Sequence, residues 1–416
     1  MKSHTTVAKS RMRARITAGG SLLVVGALAL SGCSGGSGGG SSENVTSIRV
    51  ADYYTDDPAK TIIGTALDQC GTEAGVTIDR ELVPSGQLVS KVLQQASSKT
   101  LPDIQMIDQS DLPTIAETGA LTPLPDAGVP TDNFGAPALS AGTFKGTVYG
   151  LPPTVNAVVL YYNKDLLAAA GVTPPTTWDE LSAAAKKLTT NGVYGLAFSA
   201  TNDGQGVAQF LPTFWSGGAD ETAVDSPEAV DALSFWTSLV SDGSASQSVL
   251  TWGNSDAGDQ FFNRTAAMMF NTGSQMAKLN KDTTLNYGLA QIPVKSAGDE
   301  PVSVLGGEDW TLPQTGDKAR AAKAAEVLTC MLSDKTQLSL ATQRGTVPGN
   351  PALDAQYLEA LPALTEYVNT VNSARSRTAQ LGTGWAPVAT ALGTAIQSSI
   401  SGQASAADAL KTAAGN

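Results

Sequence analysis

The chain has 416 residues, 26 lysines and arginines against 38 aspartates and glutamates, and a formal net charge of -12. An acidic body with no basic block argues against nucleic acid and against a polybasic membrane surface as partners. The single histidine, His4, lies in the N-terminal leader, so the rest of the chain lacks a histidine general base, a histidine-activated nucleophile and histidine-ligated zinc. No cofactor or metal is expected, and carboxylate chemistry is the catalytic route that survives.

The leader comes first. Lys2, Lys9, Arg11, Arg13 and Arg15 precede an apolar run from Leu22 to Leu30 that is too short to span a bilayer as a stable anchor, so residues 1–32 read as an export signal. The basic cluster lacks adjacent arginines, which favours the general secretion route. Removing those five basic residues and no acid leaves 21 against 38. Leu30-Ser31-Gly32-Cys33 resembles the bacterial lipobox, in which the cysteine thiol takes a diacylglycerol and becomes the new N-terminus. Residues 33–44 continue as a Gly/Ser tract with nothing to bury, a flexible tether. The expectation is a soluble body held at the outer face of a bacterial cell membrane through lipidated Cys33. No later apolar run approaches spanning length.

Past the tether, TSIRVADYY reads as a strand, AKTIIGTALDQCGTEAG as a helix with Ile62, Ala66, Cys70 and Ala74 at helical spacing, and VTIDRELVP as a second strand. QLVSKVLQQASS is an amphipathic helix, PDIQMIDQS a third strand and DLPTIAETG a helix. This alternation predicts an α/β layer with a mostly parallel sheet, in which ligands bind outside the carboxyl ends of the strands. Those ends carry Asp52, Tyr53 and Tyr54; Ser85 and Gln87; and Asp108, Ser110 and Asp111. Further on, AVVLYYN is a strand, and Thr177 is an N-cap with Glu180 at capping-box spacing.

YGLP, LYYNKDL and PTTWDEL, followed by FNRTAAMMFNTGS, YGLAQIPV, VLGGEDWTL, RGTVPGNPAL and GQASAADALKTA, occur in an order that resembles the extracellular solute-binding proteins of carbohydrate ABC transporters, the maltodextrin-binding protein family. The resemblance implies a type II periplasmic-binding-protein-like fold, two α/β lobes with a ligand cleft between them and several hinge crossings. The first lobe would hold residues 45–153 and 306–350, the second 154–305 and 351–416. It also places both remaining cysteines, Cys70 and Cys330, on helices of the first lobe. A disulfide between them is expected for an exported chain, the alternative being that Cys70 is simply a buried hydrophobe.

Sugar binding asks for planar hydrogen-bonding groups and for aromatic faces. The resemblance implies Trp310, after GGED, and Trp385, in GTGWAPV, as aromatic contacts, with Trp215 divided between cleft and core. Trp178 and Trp236 read as packing residues. Gly307, Glu308 and Asp309 fall at the implied hinge; Thr154, Asn156 and Arg344 complete the candidate set. Where the family commonly carries an aromatic, this chain reads Asn271-Thr272-Gly273-Ser274-Gln275, which favours a small or polar sugar over a long maltodextrin.

The reading is therefore a monomeric, non-enzymatic receptor that captures a mono- or short oligosaccharide and delivers it to the transmembrane permease of an ABC transporter. A secreted glycoside hydrolase using two carboxylates is the alternative from another class. A binder of a peptide, a polyamine or another solute differs only in the chemistry of the cleft.

Overall fold

The computed structural model describes residues 45–190 and 192–415. The leader, Cys33 and the tether lie outside the described residues. The first strand β1 (Ser47–Asp52) leads into α1 (Ala59–Ala74), β2 (Thr77–Leu82), α2 (Ser85–Ser98), β3 (Ile104–Asp108) and α3 (Leu112–Glu117). Burial of Ile63, Leu67, Cys70 and Ala74 makes the inner face of α1, so the apolar stripe sits about one position from the expected Ile62 and Ala66, which flank it. α1 stops where Gly75 enters the left-handed region at φ 73°, a conformation that costs glycine nothing.

β4 (Gly150–Leu151) and β5 (Thr154–Asn163) follow, then α4 (Trp178–Leu188), β6 (Tyr194–Ala197), α5 (Gly204–Ser216), α6 (Pro227–Ser241), α7 (Asn254–Phe262), β7 (Ala266–Thr272) and β8 (Tyr287–Ala290). The capping box at the start of α4 is formed: the Thr177 hydroxyl accepts from the Glu180 amide, and the Glu180 carboxylate accepts from the Thr177 amide. The chain then runs through β9 (Leu305–Pro313), α8 (Lys318–Met331), α9 (Asp334–Arg344), β10 (Val347–Pro348), α10 (Thr365–Asn372), α11 (Trp385–Ile400) and α12 (Ala406–Ala414).

The strands join in the order β2-β1-β3-β9-β5-β7-β6. β1 pairs in parallel with β2 and β3, and β7 with β6, while β9 is antiparallel to both β3 and β5. β9 is the strand that ties the two halves together. Its Leu305–Gly307 segment pairs with Ala157–Val155 of β5, and Glu308–Thr311 pairs with Asp108–Gln105 of β3. The handover falls at Gly307, whose φ of 149° is open to glycine and strained for any other residue.

Period-two alternation distributes the core. Val155, Ala157, Val159 and Tyr161 of β5 face one apolar cluster, which continues beneath β1, β3 and β9 with Ile48, Val50, Met106 and Leu328. Val158 and Leu160 face another, built on Phe198, Phe210, Trp236 and Ile396. A smaller cluster of Val83, Leu88, Val92, Ile107 and Ile115 covers the other side of the β1–β3 half. Trp178 stacks on Phe235 with ring centroids 4.8 Å apart, and Trp236 is fully buried, so both are packing residues. Cys70 and Cys330 are disulfide-bonded, fastening α1 to α8.

Candidate functional site

The carboxyl ends of β1 and β3, the handover in β9 and the end of α9 converge on one polar network. Tyr53 and Tyr54 follow β1, their rings 5.2 Å apart. The Tyr53 hydroxyl donates to Glu308 Oε1 at 2.8 Å. Arg344, the last residue of α9, donates from Nη2 to the Tyr54 hydroxyl at 2.8 Å and from Nη1 to Thr154 Oγ1 at 3.1 Å. Its guanidinium lies over the Tyr54 ring, 4.7 Å from the centroid, and 3.7 Å from Glu308 Oε2. Burial works against the Arg344 charge, but Tyr54 and Glu308 outweigh it and hold its proton above the ordinary arginine range.

At the end of β3, Asp108 Oδ1 accepts from the Ser110 amide, the Ser110 hydroxyl and Arg377 Nη2, the last at 2.8 Å. Asp111 stands at the N-cap of α3, yet its side chain makes no capping bond. Burial first, and the nearby Asp108 charge second, push its carboxyl up to about 7 against the pull of Arg377. Asn156 of β5 lies opposite Gly306, so close that a Cβ on that glycine would come within 2.3 Å of Asn156 Oδ1. That oxygen is buried without a hydrogen-bond donor.

Several expected contacts lie elsewhere. Trp310 pairs with Met106 and Leu151, is 1% exposed and belongs to the core beneath the β1–β3 half, so it is a packing residue. Asp309 alternates to the face opposite Glu308, pairs with Ile107 and is fully buried, with only a long 3.4 Å contact from Gln109 Nε2. Burial drives its carboxyl well up, assisted by Asp108 and Glu308. Asn271 is turned inward, donating to the Asn254 carbonyl and accepting from the Thr272 amide. Gly273 is packed against the Tyr367 hydroxyl, and the Gln275 amide against Gly258 of α7. Ser85 and Gln87 are exposed at the start of α2, outside the network.

Trp215 is committed within the second half: its Nε1 donates to Glu221 Oε2 at 2.8 Å, and the Arg375 guanidinium covers its ring at 4.7 Å. Trp385 begins α11 and is 3% exposed, packed into the cluster of Phe198 and Trp236. The turn Gly382–Gly384 before it lies against α3. Trp252 is half-buried and touches both large clusters.

Arg377 went unnamed in the sequence reading. Its signal was the alternation Arg375-Ser376-Arg377, two like charges two residues apart after a helix. Arg375 donates to Asp220 and Glu221 of the second half, and Arg377 to Asp108 of the first. Arg375 also exchanges backbone bonds with Ser303 and Leu305 at the entry to β9.

A separate groove of about 440 Å³ between Pro174–Thr177 and Leu289–Ile292 shares no residue with this network. Its two acids, Asp299 and Glu366, are exposed, so the buried chemistry belongs to the network. Among the described residues no group of three or more cysteines and carboxylates is placed to hold a metal, and no helix is long and apolar enough to cross a membrane.

A family model for bacterial extracellular solute-binding proteins matches residues 65–367. A Brucella abortus protein whose name suggests only a binding protein is 29% identical over 238 residues, which are 54% of this chain and 57% of the relative. The match therefore spans little more than half the length of that relative. The maltooligosaccharide ABC transporter solute-binding lipoprotein of Streptococcus pneumoniae is 26% identical over 325 residues, 75% of this chain and 74% of the relative. Among solved structures, maltose-bound MalE3 of T. maritima superposes with a TM-score of 0.82 at 24% identity, covering 89% of this chain and 98% of that one. This last likeness is one of fold.

Proposed function

The chain belongs to the family of bacterial extracellular solute-binding proteins, and from that membership we propose that it is a receptor for a mono- or short oligosaccharide that passes its ligand to an ABC transporter permease. The carrying observation is the Tyr53-Glu308-Arg344-Tyr54 network at the point where β9 leaves one half of the sheet for the other. Fixed carboxylate and guanidinium partners suit vicinal hydroxyls, and the two tyrosines add apolar faces with polar tips. The naming of the pneumococcal relative for maltooligosaccharides supports a sugar. Residues 45–153 with 306–350, and 154–305 with 351–416, serve as the two lobes, closing on ligand about β9 and the Arg375–Arg377 segment. Cys33 carries the lipid that keeps the receptor at the outer face of the membrane, and the protein acts as a monomer without cofactor.

A thermal-shift screen of mono- and oligosaccharides tests this, since a ligand that binds only the folded state raises the melting temperature by mass action. Saturable shifts without any cleaved product support a receptor. Product formation would restore the hydrolase, and shifts only with peptides or amino acids would remove the sugar. Cys33→Ala should release the protein into the medium, and its retention on membranes would refute the anchor.

A further inference from the structure

The charges around the cleft do not balance. Asp108 is held by Arg377, and Glu308 faces Arg344. Asp309 belongs to the opposite face, where it is fully buried and away from this side of the strand. Asp111 is left over: it caps no helix amide, its nearest like charge is Asp108, and the one cation close to it, Arg377, is already engaged.

A second, independent shortage lies in the same network. Thr154 and Asn156, two residues apart on β5, share one face of the strand, and Arg344 reaches that face through the Thr154 hydroxyl on its way to Glu308. Asn156 is 7% exposed, and its Oδ1 has no donor. A buried amide oxygen left without a donor is costly, and such groups in native proteins are nearly always met. The open hydrogen-bonding capacity is thus on the acceptor side: one carboxylate and one amide oxygen. A neutral hydroxyl both donates and accepts, and gives no support to the ionised form of Asp111. An ammonium group offers three donors and no acceptor, and brings the missing charge.

We propose that the ligand is an amino sugar, or an oligosaccharide that includes one, and that Asp111 meets its ammonium group while the Asn156 amide oxygen accepts from an adjacent donor. This deepens the sugar-receptor reading and depends on it. Asp111 is then a specificity-determining residue, and the aromatic and arginine contacts serve the rest of the ring.

The test is calorimetry on the full chain with matched probes: glucose, its 2-amino, 3-amino and 6-amino derivatives, and N-acetylglucosamine, followed by cellobiose, chitosan disaccharide and N,N′-diacetylchitobiose. At least one amine should bind about tenfold or more tighter than its neutral and acetylated counterparts. The preference should shrink as salt is raised and fall to about one in Asp111→Asn. Should Asp111→Asn not fold, the acetylated probes and the salt series decide alone. If neutral sugars bind and no amine surpasses them, the charge assignment is wrong while the sugar receptor stands. If no sugar of either kind binds, both fall. An amine preference untouched by Asp111→Asn would overturn the role of Asp111.

Discussion

At the residue scale the sharpest consequence is a pH dependence that runs against the usual one. A salt-bridged carboxylate loses stability as pH falls, because its folded pKa is depressed. Asp111 does the reverse: burial and Asp108 raise its carboxyl to about 7, so between the ordinary aspartate range and that value the native state holds a proton that the unfolded chain has released. Stability contributed by this group is therefore present at acid pH and lost as pH climbs toward 7, and buried Asp309 pushes the same way. Asp220, held down to about 2 by Thr222 and Arg375 in spite of some burial, opposes this only in strong acid. The melting temperature of the unliganded protein should fall between about pH 4 and 7, the window between the ordinary aspartate range and the raised value of Asp111. Asp111→Asn should flatten that slope, and a slope of equal size in the variant would assign the effect elsewhere. Arg344→Met is a second residue-scale prediction. It strips partners from Tyr54, Thr154 and Glu308 at once, and breaking a buried ion pair from one side costs on the order of 3 kcal/mol. Chemical denaturation should show that loss, and sugar affinity should fall with it.

What could be read of the site at this scale followed strand position. The residues just past β1 and β3, together with Glu308, Arg344 and Thr154, fall in the network because strand ends and their loops are where an α/β sheet presents polar groups. Asp309 and Trp310 miss it for two different reasons. Asp309 differs from Glu308 by one step of the pleat, and a one-residue step turns a side chain to the other face. Trp310 keeps the parity of Glu308 but lies two residues further along, where β9 has already entered the core opposite Met106. Neither offset is written in the letters GGEDW. Register is set by the partner strand.

At the element scale, helix and strand were legible wherever the period was clean, as in α1, α4 and the strands of the first half. Trp385 shows the limit. A Gly-flanked tryptophan suggested an open face, yet the Gly382–Gly384 turn docks on α3 and the ring enters the cluster that α11 shares with α6. Trp385→Ala should therefore lower the melting temperature as well as any affinity, since large-to-small changes of a buried aromatic cost about 3–5 kcal/mol. An unchanged melting temperature would show that the ring is free. The disulfide acts between elements. Bonding α1 to α8 closes a loop of 260 residues, and removing a native disulfide costs about 2–5 kcal/mol in small secreted domains. Cys70→Ser should show a loss of this order by denaturation. Thiol counting on the native chain under denaturing, non-reducing conditions should find neither Cys70 nor Cys330 free.

At the scale of the whole molecule, the family resemblance carried more than any local pattern, because the order of many weak motifs constrains a topology that none of them fixes alone. It could not show how the halves are coupled. Arg375 is gripped by Asp220, Glu221 and the face of Trp215, whereas Arg377, two residues on, holds Asp108. One short segment thus links both halves, and only its Arg377 end reaches Asp108 at the end of β3. Arg377→Met removes the grip on Asp108 without touching the Arg375 anchor, and it leaves two carboxylates, Asp108 and Asp111, facing each other without a cation. Losing the Arg377–Asp108 tie between the halves favours the arrangement in which they stand further apart. The unliganded variant should show a larger radius of gyration than the parent in small-angle scattering, and saturating ligand should bring the two together. Affinity should drop about tenfold, the 1.4 kcal/mol that ligand must then spend on closure. If the radius is unchanged and affinity falls all the same, Arg377 acts on the ligand directly and the segment is no latch.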